Sequence, residues 1–138
     1  THDGRVFDLK DRKGSWTVLY FYPKAETPGC TKQACAFRDA ILIIRDLKAD
    51  VFGVSADDAE DLKKFHENHR LNFILLSDPK SEVIKAYGTK MRLLGFSQRH
   101  TFIIDPDLVI RDINTKVDPA MDPKVTAARL KELQSKKK

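Results

Sequence analysis

The sequence predicts an α/β fold, with a mainly parallel central sheet, a terminal antiparallel hairpin and helices on both faces. Three observations carry that prediction. Trp16 to Tyr22 is an unbroken apolar and β-branched run, the pattern of a strand covered on both sides. Further short apolar runs alternate with stretches of helical spacing. Late in the chain, Asp105-Pro106-Asp107 separates two strand-like runs by a turn sequence.

Taken in order, Pro23 ends the first strand because it has no N–H for a ladder. Thr27 then suits an N-cap and Pro28 the first helical position, so a helix starts there and carries Gly29, Cys30 and Cys35. Asp50 to Ala56 reads as a second strand, with Gly53 allowing close backbone approach. Asp57 and Glu60 form a capping pair for a helix that buries Leu62, Phe65 and His69. Phe73 to Leu76 is a short strand, and Asp78-Pro79 opens a helix with Val83, Ile84 and Tyr87, closed by Gly88. Arg99 to Asp105 and Leu108 to Thr115 make the hairpin. A last helix runs from about Pro123 to Leu133, with Val125, Ala128, Leu130 and Leu133 facing inward.

The length suits a single domain over residues 1–138, with a disordered basic tail from about 134. Lys136, Lys137 and Lys138 supply three of the five net positive charges, leaving about +2 on the body, too little to argue for nucleic acid. No apolar run approaches the ~20 residues of a membrane span, and no signal-peptide pattern is present. A cytoplasmic protein is the expectation, with room for a removed leader because the chain begins without methionine.

The chemistry centres on Cys30 and Cys35, the only two cysteines. On the register above, Cys30 lies in the first turn of its helix, where unpaired N–H groups and the positive end of the dipole favour an anion. Lys24 and Lys32 add positive charge nearby. A thiol so placed ionises readily, and the thiolate is the nucleophile. Cys35 follows five residues on, which along a helix is a rise of about 7.5 Å and a Cα separation of about 8–9 Å, beyond the ~7 Å reach of a disulfide. A Cys30–Cys35 bridge therefore requires the first turns to unwind. That spacing fits a Cys30 thiolate that takes oxygen from a peroxide, becomes a sulfenic acid, and condenses with Cys35. Both cysteines and the four histidines (His2, His66, His69, His100) lack the spacing of metal ligands, so no metal or other cofactor is expected.

These residues resemble a known family. Tyr20-Phe21-Tyr22-Pro23-Lys24, Thr27-Pro28-Gly29-Cys30-Thr31 and Cys35-Ala36-Phe37-Arg38-Asp39 are similar to the Q-type peroxiredoxins, the bacterioferritin comigratory protein group. The likeness continues through Gly53-Val54-Ser55, Leu76-Ser77-Asp78-Pro79 and Lys85-Ala86-Tyr87-Gly88 to the segment Arg99 to Asp105. The resemblance implies a thioredoxin-like fold and a thiol-dependent peroxidase. By it, Cys30 is the peroxidatic cysteine and Cys35 the resolving one. Thr27 hydrogen-bonds the peroxide or the thiolate, Pro23 shields the pocket, and Arg99 stabilises the thiolate and orients the peroxide. It further implies hydrogen peroxide and organic hydroperoxides as substrates, thioredoxin or a similar dithiol protein as reductant, and a monomer.

The chain departs from the family pattern in three places. It starts at Thr1-His2-Asp3-Gly4 without the usual Ala-Pro-x-Phe segment. Gln33 stands where many relatives carry glutamate, and His100 where small hydroxyl residues are commoner. Ile41-Leu42-Ile43-Ile44 is apolar all round its helix, which suits core packing or a patch that docks a reductant or a second copy. Two other functions stay open from sequence: a thiol–disulfide oxidoreductase, though no Cys-x-x-Cys is present, and a redox-sensing module that exposes this patch.

Overall fold

The computed structural model describes residues 1–91 and 96–135. After a short 3₁₀ turn at Leu9–Arg12 come β1 (Trp16–Phe21), α1 (Pro28–Asp46), β2 (Ala49–Ser55), α2 (Ala59–Asn68) and β3 (Ile74–Ser77). Then follow α3 (Glu82–Ala86), β4 (His100–Ile104), β5 (Ile110–Asn114) and α4 (Asp122–Ser135). The strands form one five-stranded sheet in the order β3-β2-β1-β4-β5. β1, β2 and β3 are parallel neighbours, while β4 runs antiparallel to β1 and β5 antiparallel to β4. A parallel core bearing an antiparallel hairpin is the thioredoxin-like arrangement expected from the sequence.

Central position explains the apolar run of β1, since every residue of that strand is buried. Successive side chains point to opposite faces. Trp16, Val18 and Tyr20 join α1, α2 and α4 in one cluster, with Phe37, Ile41, Ile44, Leu62, Phe65, Leu130 and Leu133. Leu19 and Phe21 join Phe52, Val54, Ile84, Phe102 and Ile104 in the other, where α3 and the 3₁₀ turn pack. Tyr20 stacks on Phe37 with ring centroids 4.7 Å apart. Its ring also lies over Gly53, where an added Cβ would sit 2.8 Å from the phenol oxygen, so no side chain fits there.

Three expectations are corrected. The cap of α2 is Asp58, whose carboxylate accepts from the Asp61 N–H, because Asp57 is engaged elsewhere. The inward face of α4 is Asp122, Thr126, Leu130 and Leu133, at i, i+4, i+8 and i+11. Val125 and Ala128 instead face solvent, because the Thr126 hydroxyl finds a buried acceptor in Asp122 Oδ1, 3.1 Å away. The helix also extends past Leu133: Gln134 Nε2 donates to the Leu47 carbonyl at 2.6 Å, which ties down residues expected in the tail. Residues 136–138 lie outside the described residues. Within Ile41–Ile44, Ile41 and Ile44 are core, whereas Leu42 and Ile43 are 72% and 55% exposed.

Candidate active site

The site sits at the carboxyl end of β1, where the chain leaves the sheet. The Tyr22 N–H still pairs with the Val54 carbonyl (3.0 Å), and half-buried Pro23 then turns the chain away. Side chains from outside hold the loop that follows. Asp57 accepts from the Ala25 N–H and from the Ser55 hydroxyl, both at 2.8 Å, which is why Asp57 does not cap α2. Glu26 adopts the left-handed region (φ 62°), a conformation that needs outside support in a non-glycine residue. Its carboxylate accepts from Asn68 Nδ2 (2.7 Å) and pairs with His69 Nε2 (2.5 Å) at the end of α2. Burial pushes the Glu26 carboxyl up, but the hydrogen bonds from Asn68 and His69 and the His69 charge together outweigh it and hold the carboxyl below its usual value.

Thr27 occupies the N-cap position with extended backbone, and Pro28 follows as the first helical residue. The side chain does not cap the helix. Its hydroxyl instead donates to the Lys24 carbonyl at 2.7 Å, closing the loop on itself. A hydroxyl used this way still offers acceptor lone pairs. Cys30, in the first turn of α1, is 1% exposed. Arg99, immediately before β4, places Nη2 3.4 Å from Cys30 Sγ and Nη1 2.7 Å from Gln33 Oε1. Gly29 makes that approach possible, since a Cβ there would lie 3.0 Å from Nη2. Cys35 is half-buried farther along α1, which runs unbroken through both free cysteines.

The structure thus brings Cys30 and Arg99 into contact, sets Thr27 one turn before Cys30, and puts Pro23 at the mouth of the loop. Cys35 remains apart, as helix geometry requires. Tyr20 and Tyr22 lie buried on the same side of the sheet. Burial drives both phenol pKa values upward, with the negative charge of an ionised Cys30 pushing the same way, so both stay protonated. His100 is half-buried at the start of β4, and burial lowers its pKa.

Two more residues enter the site: Gln33, noted in the sequence only as a departure from the family's usual glutamate, and Asp122, which the sequence did not single out. Gln33 is fully buried and bridges Arg99 to Asp122, donating from Nε2 to Oδ2 at 2.9 Å across 89 residues of sequence. Asp122 is 1% exposed and also accepts from Thr101 (2.7 Å) and Thr126 (3.1 Å). Burial raises the Asp122 pKa, while those donors and the Arg99 charge pull it back down. Locally, Asp122-Pro123 reads as an ordinary helix start, so nothing in the nearby residues signals a buried carboxylate.

Residues 1–113 match the AhpC/TSA family. The chain belongs to the AhpC/TSA family. Among curated relatives, this AhpC/TSA chain is 44% identical over 119 residues to the chloroplastic peroxiredoxin Q of Oryza sativa subsp. japonica, spanning 85% of this chain and 55% of that protein. It is 37% identical over 123 residues to a putative peroxiredoxin bcp of Coxiella burnetii, spanning 85% of this chain and 82% of that one. The chain therefore spans about half the length of the plant relatives it matches. Among solved structures, the peroxidoxin BcpB of Mycobacterium tuberculosis superposes with a TM-score of 0.88 at 34% identity, covering 95% of this chain and 88% of that one. The bacterioferritin comigratory protein of Xanthomonas campestris, whose alkyl peroxide reduction has been studied in crystals, superposes at 0.87 with 26% identity over 91% of this chain and 84% of that one. Among the described residues, no helix is long and apolar enough to cross a membrane.

Proposed function

We propose that this chain is a thiol-dependent peroxidase that reduces hydrogen peroxide and alkyl hydroperoxides through Cys30 and Cys35, and is recycled by thioredoxin or a similar dithiol protein. One observation carries the reading: a buried thiol in the first turn of a helix, with an arginine Nη2 3.4 Å from its sulfur. Guanidinium is always charged and donates only, so it favours the thiolate over the thiol.

In the proposed reaction the Cys30 thiolate attacks the terminal oxygen of the peroxide in line with the O–O bond. An S–O bond forms as O–O breaks, giving Cys30 sulfenic acid, and the leaving alkoxide or hydroxide takes up a proton. Arg99 donates to the developing negative charge, and donors already in place stabilise it better than water that must reorient. Thr27, its own proton committed to Lys24, accepts from the peroxide hydroxyl. Pro23 screens the pocket. The first turns of α1 then unwind, and the Cys35 sulfur displaces water from the Cys30 sulfur to form the disulfide. A dithiol reductant returns both thiols and is itself oxidised. The protein acts as a monomer in this scheme.

Replacing Cys30 with Ser abolishes peroxide turnover with a thioredoxin system, whereas Cys35→Ser consumes a single equivalent of peroxide and stops at the sulfenic acid. Appreciable turnover by Cys30→Ser, or full thioredoxin-linked turnover by Cys35→Ser, contradicts the assignment.

A further inference from the structure

We propose that Asp122 is a positioning residue for Cys30: acting through Gln33, it fixes the Arg99 guanidinium against the sulfur. The inference rests on the reading of Cys30 as the reacting thiol. The connection runs Arg99 Nη1 to Gln33 Oε1 at 2.7 Å, then Gln33 Nε2 to Asp122 Oδ2 at 2.9 Å. Guanidinium donates only, an ionised carboxylate accepts only, and an amide has one end of each kind. Only one orientation of Gln33 satisfies both neighbours. Reversing it sets NH₂ against guanidinium and carbonyl against carboxylate, so the acceptor at Asp122 dictates that an acceptor faces Arg99.

Asp122 is itself held from both sides. Thr101 on β4 donates to Oδ2 and Thr126 on α4 donates to Oδ1. An aspartate whose only task is to order a turn does so at the surface, as Asp118 does just before α4 with its carboxylate on the Ala120 N–H. Burying a carboxylate is costly unless each oxygen finds a donor. Here every hydrogen bond found on the carboxylate comes from a side chain, and one of those side chains touches the arginine at the sulfur. The arrangement also makes α4 a partner of the site, because a shift of α4 moves Asp122, then Gln33, then Arg99.

The test is a charge exchange across that contact, made in a Cys35→Ser background so that only Cys30 reacts. Asp122→Leu removes the acceptor, Gln33→Glu sets two carboxylates face to face, and the Gln33→Glu/Asp122→Asn double variant rebuilds the same number of bonds with the negative charge moved next to Arg99. Peroxide consumption reads the chemistry. Iodoacetamide alkylation against pH reads the Cys30 thiolate without peroxide, so a failure of the peroxidase reading leaves this second readout intact. Each single variant should slow both reactions by about tenfold, the scale of one hydrogen bond to a charged group. Each should also move the alkylation profile to higher pH, and the double variant should return to within about threefold of the parent.

Charge alone makes the opposite forecast for Asp122→Leu, because deleting an anion favours the thiolate. Alkylation by that variant as fast as the parent, or faster, therefore overturns the proposal, and so does a double variant no better than Gln33→Glu. Thermal melting separates positioning from folding. If Asp122→Leu unfolds, the double variant against Gln33→Glu carries the same comparison, and failure of both Asp122 variants to fold marks a purely structural carboxylate and refutes the proposal.

Discussion

The two ends of α1 are held in different ways. Its far half is anchored by apolar packing: Phe37, Ile41 and Ile44 are buried in the cluster that spans β1, β2, α2 and α4. At its start and in the loop before it, where Ala25 and Cys30 also reach that cluster, separate polar contacts are added: Asp57 to Ala25, Asn68 and His69 to Glu26, and Arg99 to Cys30. Packing in a close-packed core is lost all at once, whereas polar contacts can be released one by one. In the proposed cycle α1 stays docked while its first turns unwind, and this division suits that. On that proposal the start is fixed well enough to aim Cys30 and loosely enough to let Cys35 reach it.

The sharpest way to break that comparison is at the packed end. Phe37→Ala should lower unfolding stability by about 3–5 kcal/mol in a denaturant titration, because the ring is fully buried and stacks on Tyr20. The folded fraction should keep its Cys30 reactivity. At the polar end the balance reverses. Arg99→Gln should slow peroxide reduction by about 10²–10³, the usual effect of removing one charge-stabilising donor, and leave the melting temperature nearly unchanged. Asp57→Asn should have a smaller effect still, about 1–3 kcal/mol, because a pairing with the Ala25 N–H and the Ser55 hydroxyl is weakened. Its signature should be faster hydrogen exchange in the loop from Lys24 to Thr27.

The smallest effect is on pH. Burial lowers the pKa of His2, His66 and His100 in the fold, and His2 and His66 stack on each other with centroids 4.0 Å apart. The unfolded chain then binds protons more readily than the folded one as pH falls through about 6.5, so stability declines with acidification there. Melting followed between neutral and mildly acid pH checks this, and His66→Gln should flatten the slope. A flat profile in the parent protein contradicts it.

Much of this molecule is legible in the residues because its main signals are local. The β1 run, Pro23, Thr27 and Pro28 mark where the strand ends and α1 begins, and the observed boundaries agree to within a residue. What the sequence hides is contact between distant elements. Asp57 and Asp58 are equally good caps by composition, and the choice falls to Asp58 only because the Ala25 N–H, 32 residues away, claims Asp57. Val125 and Ala128 fit an inward face as well as Thr126 does, until a buried acceptor for the Thr126 hydroxyl is known. Asp122 shows the same gap most plainly, since its partners lie on α1, β4 and α4.

The most direct measurement is intact mass after mixing reduced protein with one equivalent of hydrogen peroxide, followed over time beside free cysteine. The account predicts loss of two hydrogens per chain at a rate far above that of free cysteine, as Cys30 is oxidised and Cys35 closes the disulfide. Oxidation no faster than free cysteine would contradict it, because a thiol held by Arg99 at the start of α1 would then have gained nothing from its setting.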